Sequence, residues 1–149
     1  MTVRRMEHVG IVVDDMDSAI AFFLELGLVL EGEAPVEGDW VERIVGLEQV
    51  RVRVAMLRTP DGDGRLELAR FDSPPHHGAV AHAPANAPAN APGLRHVAFA
   101  VIGIDDVVAR LQARGGELVG SVERYRDAYR LCYVRGPAGV IVELVEQLV

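Results

Sequence analysis

His8-Val9-Gly10-Ile11-Val12-Val13-Asp14-Asp15-Met16-Asp17 returns further along the chain as His96-Val97-Ala98-Phe99-Ala100-Val101-Ile102-Gly103-Ile104-Asp105. Slid so that His8 falls on His96, the alignment runs without a gap to Gly27 over Gly115. It keeps His8/His96, Val9/Val97, Val13/Val101, Asp17/Asp105, Ala21/Ala109 and Gly27/Gly115 identical. Self-similarity at one fixed offset is the mark of a duplicated structural unit.

Each copy reads as strand, turn, helix. Val9, Ile11 and Val13 alternate with His8, Gly10 and Val12, the period of a strand with two distinct faces. Met16, Ala19, Ile20 and Phe23 then recur at helical spacing, with Gly27 as C-cap. In the second copy Val97, Phe99 and Val101 form the apolar strand face. Ile104, Val107, Val108 and Leu111 form the helix stripe, which Gly115-Gly116 ends.

Outward from these segments the first copy offers strands at Leu28–Glu33, Val50–Arg58 and Arg65–Phe71, with a short helix at Trp40–Leu47. Thr59-Pro60-Asp61-Gly62-Asp63-Gly64 is a hairpin turn between the last two strands. The second copy offers Glu117–Val122, Ala128–Arg135 and Val140–Val145, with Gly136-Pro137-Ala138-Gly139 as the matching turn. Each half is thus βαβββ. The fold class predicted is α+β, with tandem βαβββ modules forming a cupped mixed sheet and helices on its outer face. One domain over residues 1–149 is expected, with modules 1–71 and 94–149. Between them residues 72–93 repeat Ala83-Pro84-Ala85-Asn86 as Ala87-Pro88-Ala89-Asn90, the composition of an exposed linker loop.

The chain has 149 residues, 50% of them hydrophobic and 25% charged, enough for a single core-forming domain. Its net charge of −7 argues against nucleic-acid and anionic-membrane partners, which favour a basic face. No apolar run approaches the roughly 18–20 residues of a membrane span, and no apolar segment of a secretory signal follows Arg4 and Arg5. Cys132 is the only cysteine, so an intrachain disulfide and a cysteine-based zinc site are both excluded. A cytoplasmic protein is expected.

The final strand of each copy carries a carboxylate between apolar residues: Leu66-Glu67-Leu68 and Val142-Glu143-Leu144. Residues two apart share a strand face, so both glutamates point away from their apolar neighbours. His8 and His96 do the same. A lone histidine at a strand start is ordinarily a solvated one, and a lone strand glutamate ordinarily an exposed face. Two of each, at matching places in a duplicated unit, form a set of nitrogen and oxygen donors. Such a set suits Ni²⁺, Co²⁺, Zn²⁺, Mn²⁺ or Fe²⁺.

The opening His8-Val9-Gly10-Ile11-Val12-Val13 with its helix, the repeat at His96, and the closing Gly139-Val140-Ile141-Val142-Glu143-Leu144-Val145-Glu146 resemble the vicinal oxygen chelate superfamily of glyoxalases, bleomycin-resistance proteins and extradiol dioxygenases. The resemblance spans nearly the whole chain apart from the linker. It implies strands cupped around one divalent metal ion, its ligand places falling on His8, Glu67, His96 and Glu143. The turn Arg135-Gly136-Pro137-Ala138-Gly139 departs from the Asp-Pro-Asx-Gly of many relatives, outside the metal shell.

A carboxylate at Glu67 favours the proton-transfer branch, glyoxalase I-like or methylmalonyl-CoA epimerase-like. There the metal stabilises an enediolate while a glutamate removes a proton next to a carbonyl. Glu143 is the preferred base and Glu67 the alternative. An extradiol-type dioxygenase, which leaves Glu67 a bystander, and a non-catalytic, bleomycin-resistance-like binding protein are the other classes. The implied substrate is a small molecule, a thiol adduct or an acyl-CoA, and a homodimer is the expected assembly.

For the rest of the inner face, alternation along Arg51–Arg58 sets the valines and Met56 toward the core. Arg51 and Arg53 then face the cup as carboxylate or phosphate ligands, or stand as exposed arginines at a strand end. Laying Glu67 over Glu143 places Arg53 over Tyr129 and Leu57 over Tyr133, and the two tyrosines are read as substrate-lining. Cys132, alternating with them, is read as core. His76, His77 and His82 are read as exposed.

Overall fold

Asp15 starts the first helix: its carboxylate accepts the backbone N–H of Ser18 at 3.0 Å, satisfying one of the orphan donors of a helix N-terminus. Gly27 ends it at φ 114°, a left-handed position that glycine adopts without the cost of a Cβ. Between them α1 (Met16–Leu26) buries Met16, Ala19, Ile20, Phe22, Phe23 and Leu26, the expected stripe widened by two residues. The computed structural model in which this is seen describes residues 2–76 and 86–148. The chain divides into two compact units, Met1–Gly78 and Ala79–Val149, a division inside the segment expected as a linker.

In the first unit, β1 (Val9–Val12), β2 (Val29–Glu37), β3 (Arg51–Arg58) and β4 (Arg65–Ser73) form a sheet in the order β1-β4-β3-β2. β1 runs parallel to β4 and the other pairs are antiparallel. Ala55, Leu57, Leu66 and Leu68 are buried on the face that receives α1. β2 runs past the expected Glu33 to Glu37, through Pro35. The sheet order explains this, because β2 is an edge strand whose outer side needs no donor from proline.

Besides α1, the short helix α2 (Asp39–Val45) covers part of the sheet's other face. Its Val41 is buried with Val50, Val52 and Ala69, against Val36, Val54 and Phe71. In β4, Ala69 and Phe71 share a face with Glu67, so α2 lies on the carboxylate side. Both faces of this sheet are therefore partly apolar.

The second unit builds β5 (His96–Val101), α3 (Ile104–Ala113), β6 (Glu117–Leu118), β7 (Glu123–Tyr125), β8 (Tyr129–Arg135) and β9 (Ile141–Gln147). The order is β5-β9-β8-β6, with β7 also paired to β8 and β5 parallel to β9. The strand expected over residues 117–122 is broken. Val119 still donates its N–H to Tyr133 O at 3.0 Å, but the chain leaves the ladder at Gly120-Ser121 and returns with Glu123 opposite Leu131. α3 buries Ile104, Val107, Val108 and Leu111, as its spacing predicts. Its N-terminus has no local side-chain cap; Glu146 of β9 accepts from Gly103 N–H at 2.6 Å instead.

Candidate functional site

The parallel ladders place the polar pairs. In the first unit Gly10 stands opposite Glu67, so His8, two residues earlier, falls on the same face. Its Nε2 lies 3.8 Å from Glu67 Oε2, with each side chain about one-third exposed. In the second unit Ala98 stands opposite Glu143, and His96 Nε2 lies 3.2 Å from Glu143 Oε2. Glu143 is the more shielded carboxylate, 19% exposed against 32% for Glu67. The four predicted ligands are thus brought together two by two, one pair within each unit. Among the described residues, no third His, Cys, Asp or Glu joins either pair within its unit as a metal-binding group.

Tyr129 and Tyr133 stand opposite Gln147 and Glu143 in the β8–β9 ladder and share the face of Glu143. The Tyr133 hydroxyl is 3.5 Å from His96 Nδ1. Cys132, between them in alternation, is buried as expected, and burial pushes its thiol pKa up. His76 is exposed; His77 and His82 lie outside the described residues.

Arg53 is placed away from the cup face, and Arg51 stands exposed at the strand end, the second of its two expected readings. Met56 pairs with Glu67 and Arg53 with Arg70 in one unbroken register. Glu67 and Arg70 are three residues apart and so point to opposite faces. Arg53 therefore lies on the α1 side, bonded to Glu33 and 3.8 Å from Asp17. Arg51, which alternation along β3 puts on the same side, is exposed beside a shallow cleft of about 310 Å³ that Glu37, Arg53 and Asp72 also line. The valines misled because Val52 and Val54 are apolar for the sake of α2, whereas Ala55 and Leu57 make the core under α1.

The same register corrects the alignment of the halves. The turn after β8 is one residue shorter than the turn after β3, so Arg53 matches Arg130, Val52 matches Tyr129 and Met56 matches Tyr133. Arg130 makes two bonds of 2.8 Å to Asp105 in the first turn of α3. Arg53 and Arg130 are thus equivalent ties between a strand and the start of its helix.

On the Glu67 face the structure adds residues that the sequence reading passed over. Arg65 meets Glu7 and Glu31, each at 3.3 Å, and Arg58 stands 3.8 Å from Glu31. Counting back two from Glu67 points to Arg65. Glu31 was not findable that way, because a bulge between Leu30 and Gly32 turns it toward the arginines. In the second unit Tyr125 stands opposite Tyr129, a neighbour visible only once β7 is separated from β6.

Residues 5–144 match the family model described as the Glyoxalase/Bleomycin resistance protein/Dioxygenase superfamily. The crystal structure of a glyoxalase family protein from Bacillus cereus is similar with 47% identity and a TM-score of 0.93, the match covering 100% of this chain and 97% of that one. A glyoxalase family protein from Enterococcus faecalis has 24% identity and a TM-score of 0.62, over 98% of this chain and 100% of that one. TnmS3, an antibiotic binding protein from Streptomyces sp. CB03234, has 19% identity and a TM-score of 0.61, over 99% and 98%. These last two likenesses show the fold. No curated protein matches the chain. With duplicated βαβββ units, a His–Glu pair on the same strands of each, and a family match along nearly its whole length, the chain belongs to the glyoxalase/bleomycin resistance protein/dioxygenase superfamily.

Proposed function

We propose that this chain is a divalent-metal-dependent enzyme of lyase, isomerase or epimerase type that moves a proton on a carbon next to a carbonyl. His8, Glu67, His96 and Glu143 are its metal ligands. The observation that carries the reading is the recurrence of one imidazole–carboxylate pair on equivalent parallel strands of both units.

The spacing of the His96–Glu143 pair supports this reading. Ligand atoms about 2.1 Å from one ion stand about 3.0 Å apart at a right angle and about 3.4 Å apart in a tetrahedron. The 3.2 Å Nε2–Oε2 separation of His96 and Glu143 lies in this range, and the 3.8 Å separation of His8 and Glu67 exceeds it by about 0.4 Å. When bound, Ni²⁺, Co²⁺, Zn²⁺, Mn²⁺ or Fe²⁺ supplies Lewis-acid stabilisation of the charge that grows on the substrate's oxygen.

The chain's own residues do the rest. Glu143, the more shielded carboxylate, takes the proton from carbon onto a carboxylate oxygen. It returns the proton to the adjacent carbon in an isomerisation; in an epimerisation it passes the proton to solvent, and water on the opposite face supplies one to the same carbon. Glu67 is the alternative base. Tyr129 and Tyr133 line the same face and orient the substrate, a thiol adduct or an acyl-CoA ester. A homodimer acting on a small molecule remains the expected assembly.

A non-catalytic small-molecule binding protein is the second reading, favoured by the fact that each unit alone offers only two donors among the described residues. Elemental analysis of protein purified without added metal separates the two. The enzyme carries one divalent cation per chain and exchanges the α-proton of a methylglyoxal–thiol adduct or an acyl-CoA ester with deuterated solvent, without oxygen. His8→Ala and Glu143→Ala lose both properties. Full metal occupancy in either variant would overturn the ligand assignment.

A further inference from the structure

Tyr133 stands opposite Glu143 in the ladder and reaches past it. Its ring is tilted by 34° to that of His96, with centroids 5.1 Å apart, and its hydroxyl lies 3.5 Å from His96 Nδ1. The other ring nitrogen, Nε2, is the one that faces Glu143 Oε2 at 3.2 Å. His96 is thus approached on both nitrogens. The first unit lacks this arrangement. Met56 occupies the place of Tyr133, opposite Glu67, and a thioether has no proton to donate and accepts only weakly. No side chain bonds His8 Nδ1 among the described residues, and the His8–Glu67 separation is the longer one, 3.8 Å.

We propose that Tyr133 is a positioning residue that presents His96 Nε2 to the cation, leaving His8 as the looser of the two imidazole ligands. This rests on the metal-dependent reading above. Without the ion, the Glu143 carboxylate can only accept, so it holds the His96 proton on Nε2 and the Tyr133 hydroxyl donates to Nδ1. With Nε2 on the ion the proton sits on Nδ1 and the same hydroxyl accepts it, so the ring plane is held in both states. In the first unit the ring of His8 must be ordered as the ion binds.

The test is a Co²⁺ titration of the full chain, followed by visible absorption, with the metal-free His96 ring nitrogens observed by ¹⁵N NMR. Tyr133→Phe keeps the stacked ring and removes only the hydroxyl. It is expected to weaken Co²⁺ binding about 10-fold, the low end of what loss of an outer partner costs, and to move the His96 Nδ1 resonance as its hydrogen bond to the hydroxyl is lost. Tyr125→Phe, at an exposed tyrosine whose ring lies under the Arg126 guanidinium, leaves both readouts unchanged. Met56→Tyr, which brings a hydroxyl to the equivalent place beside His8, tightens binding. A Co²⁺-binding wild type whose affinity and His96 shifts survive Tyr133→Phe overturns this inference alone. A wild type that takes up no Co²⁺ sinks the proposed function, and the cation role of Tyr133 with it.

Discussion

In the unit of Glu67, α2 lays Val41 over the carboxylate face, and the residues across from β4 there are Val52, Val54 and Met56. In the unit of Glu143 no helix lies between β6 and β8, and the corresponding places are Tyr129, Leu131 and Tyr133. The helix starts differ as well. Asp15 caps α1 from within its own turn, and its carboxyl is held below the usual range by the Ser18 hydrogen bonds, with Arg70 of β4 adding to this. α3 starts at Gly103, and Glu146, at the β9 position matching Arg70, reaches over to cap it. A helix N-terminus needs an acceptor whichever element supplies it, so the capping acid has moved from the helix's own first turn to the neighbouring strand. What both units keep is the His–Glu pair, its face and the aspartate–arginine tie. The surroundings have diverged around it.

The sharpest way to break this equivalence is at the carboxylates. Glu143→Gln should lower kcat about 1000-fold, within the range for loss of a general base, whereas Glu67→Gln should act mainly on cation affinity. Steady-state kinetics at saturating metal separates them, and equal kcat losses would remove the distinction between the glutamates. Next in size are matched core truncations. Leu68 and Leu144 are both fully buried at equivalent places, so Leu68→Ala and Leu144→Ala should each cost about 2–5 kcal/mol in urea unfolding. A cost confined to one of them would show that the cores are not equivalent.

Val41→Ala tests the cover that the second unit lacks. Removing two methylene-sized groups at about 0.8 kcal/mol each should cost about 1.6 kcal/mol, and an unchanged midpoint would mean that α2 packs loosely.

The smallest effect concerns the helix ties. The Arg130 hydrogen bonds hold the Asp105 carboxyl below its ordinary value of 3.8. The folded chain therefore binds fewer protons there than the unfolded one. This stabilisation is present above pH 3.8 and is lost as pH falls through the lowered value. Asp105→Asn should flatten that part of the acid limb, measured by denaturant unfolding at about pH 3 and about pH 6.

Much of this was legible in the amino-acid order because short-range periodicity is a local property. The α1 and α3 stripes, the faces of His8, Glu67, His96 and Glu143, and the burial of Cys132 all follow from counting by two or by 3.6. The reading failed where a second element changed what an apolar residue means. Val52 and Val54 are apolar because α2 reaches over them, and alternation alone cannot say which of two apolar faces belongs to the main core. Arg53 was assigned to the wrong side for that reason, and matched to Tyr129 because one turn is a residue shorter than its counterpart.

Repetition along the chain thus sufficed for the paired βαβββ plan and for which polar groups share a face, since each depends on neighbours a few residues away. The register of β3 on β4, the break between β6 and β7, the capping of α3 by Glu146 and the contact of Tyr133 with His96 needed folded coordinates. Each joins residues far apart in sequence, and their meeting is settled by how strands pair and how helices pack upon them.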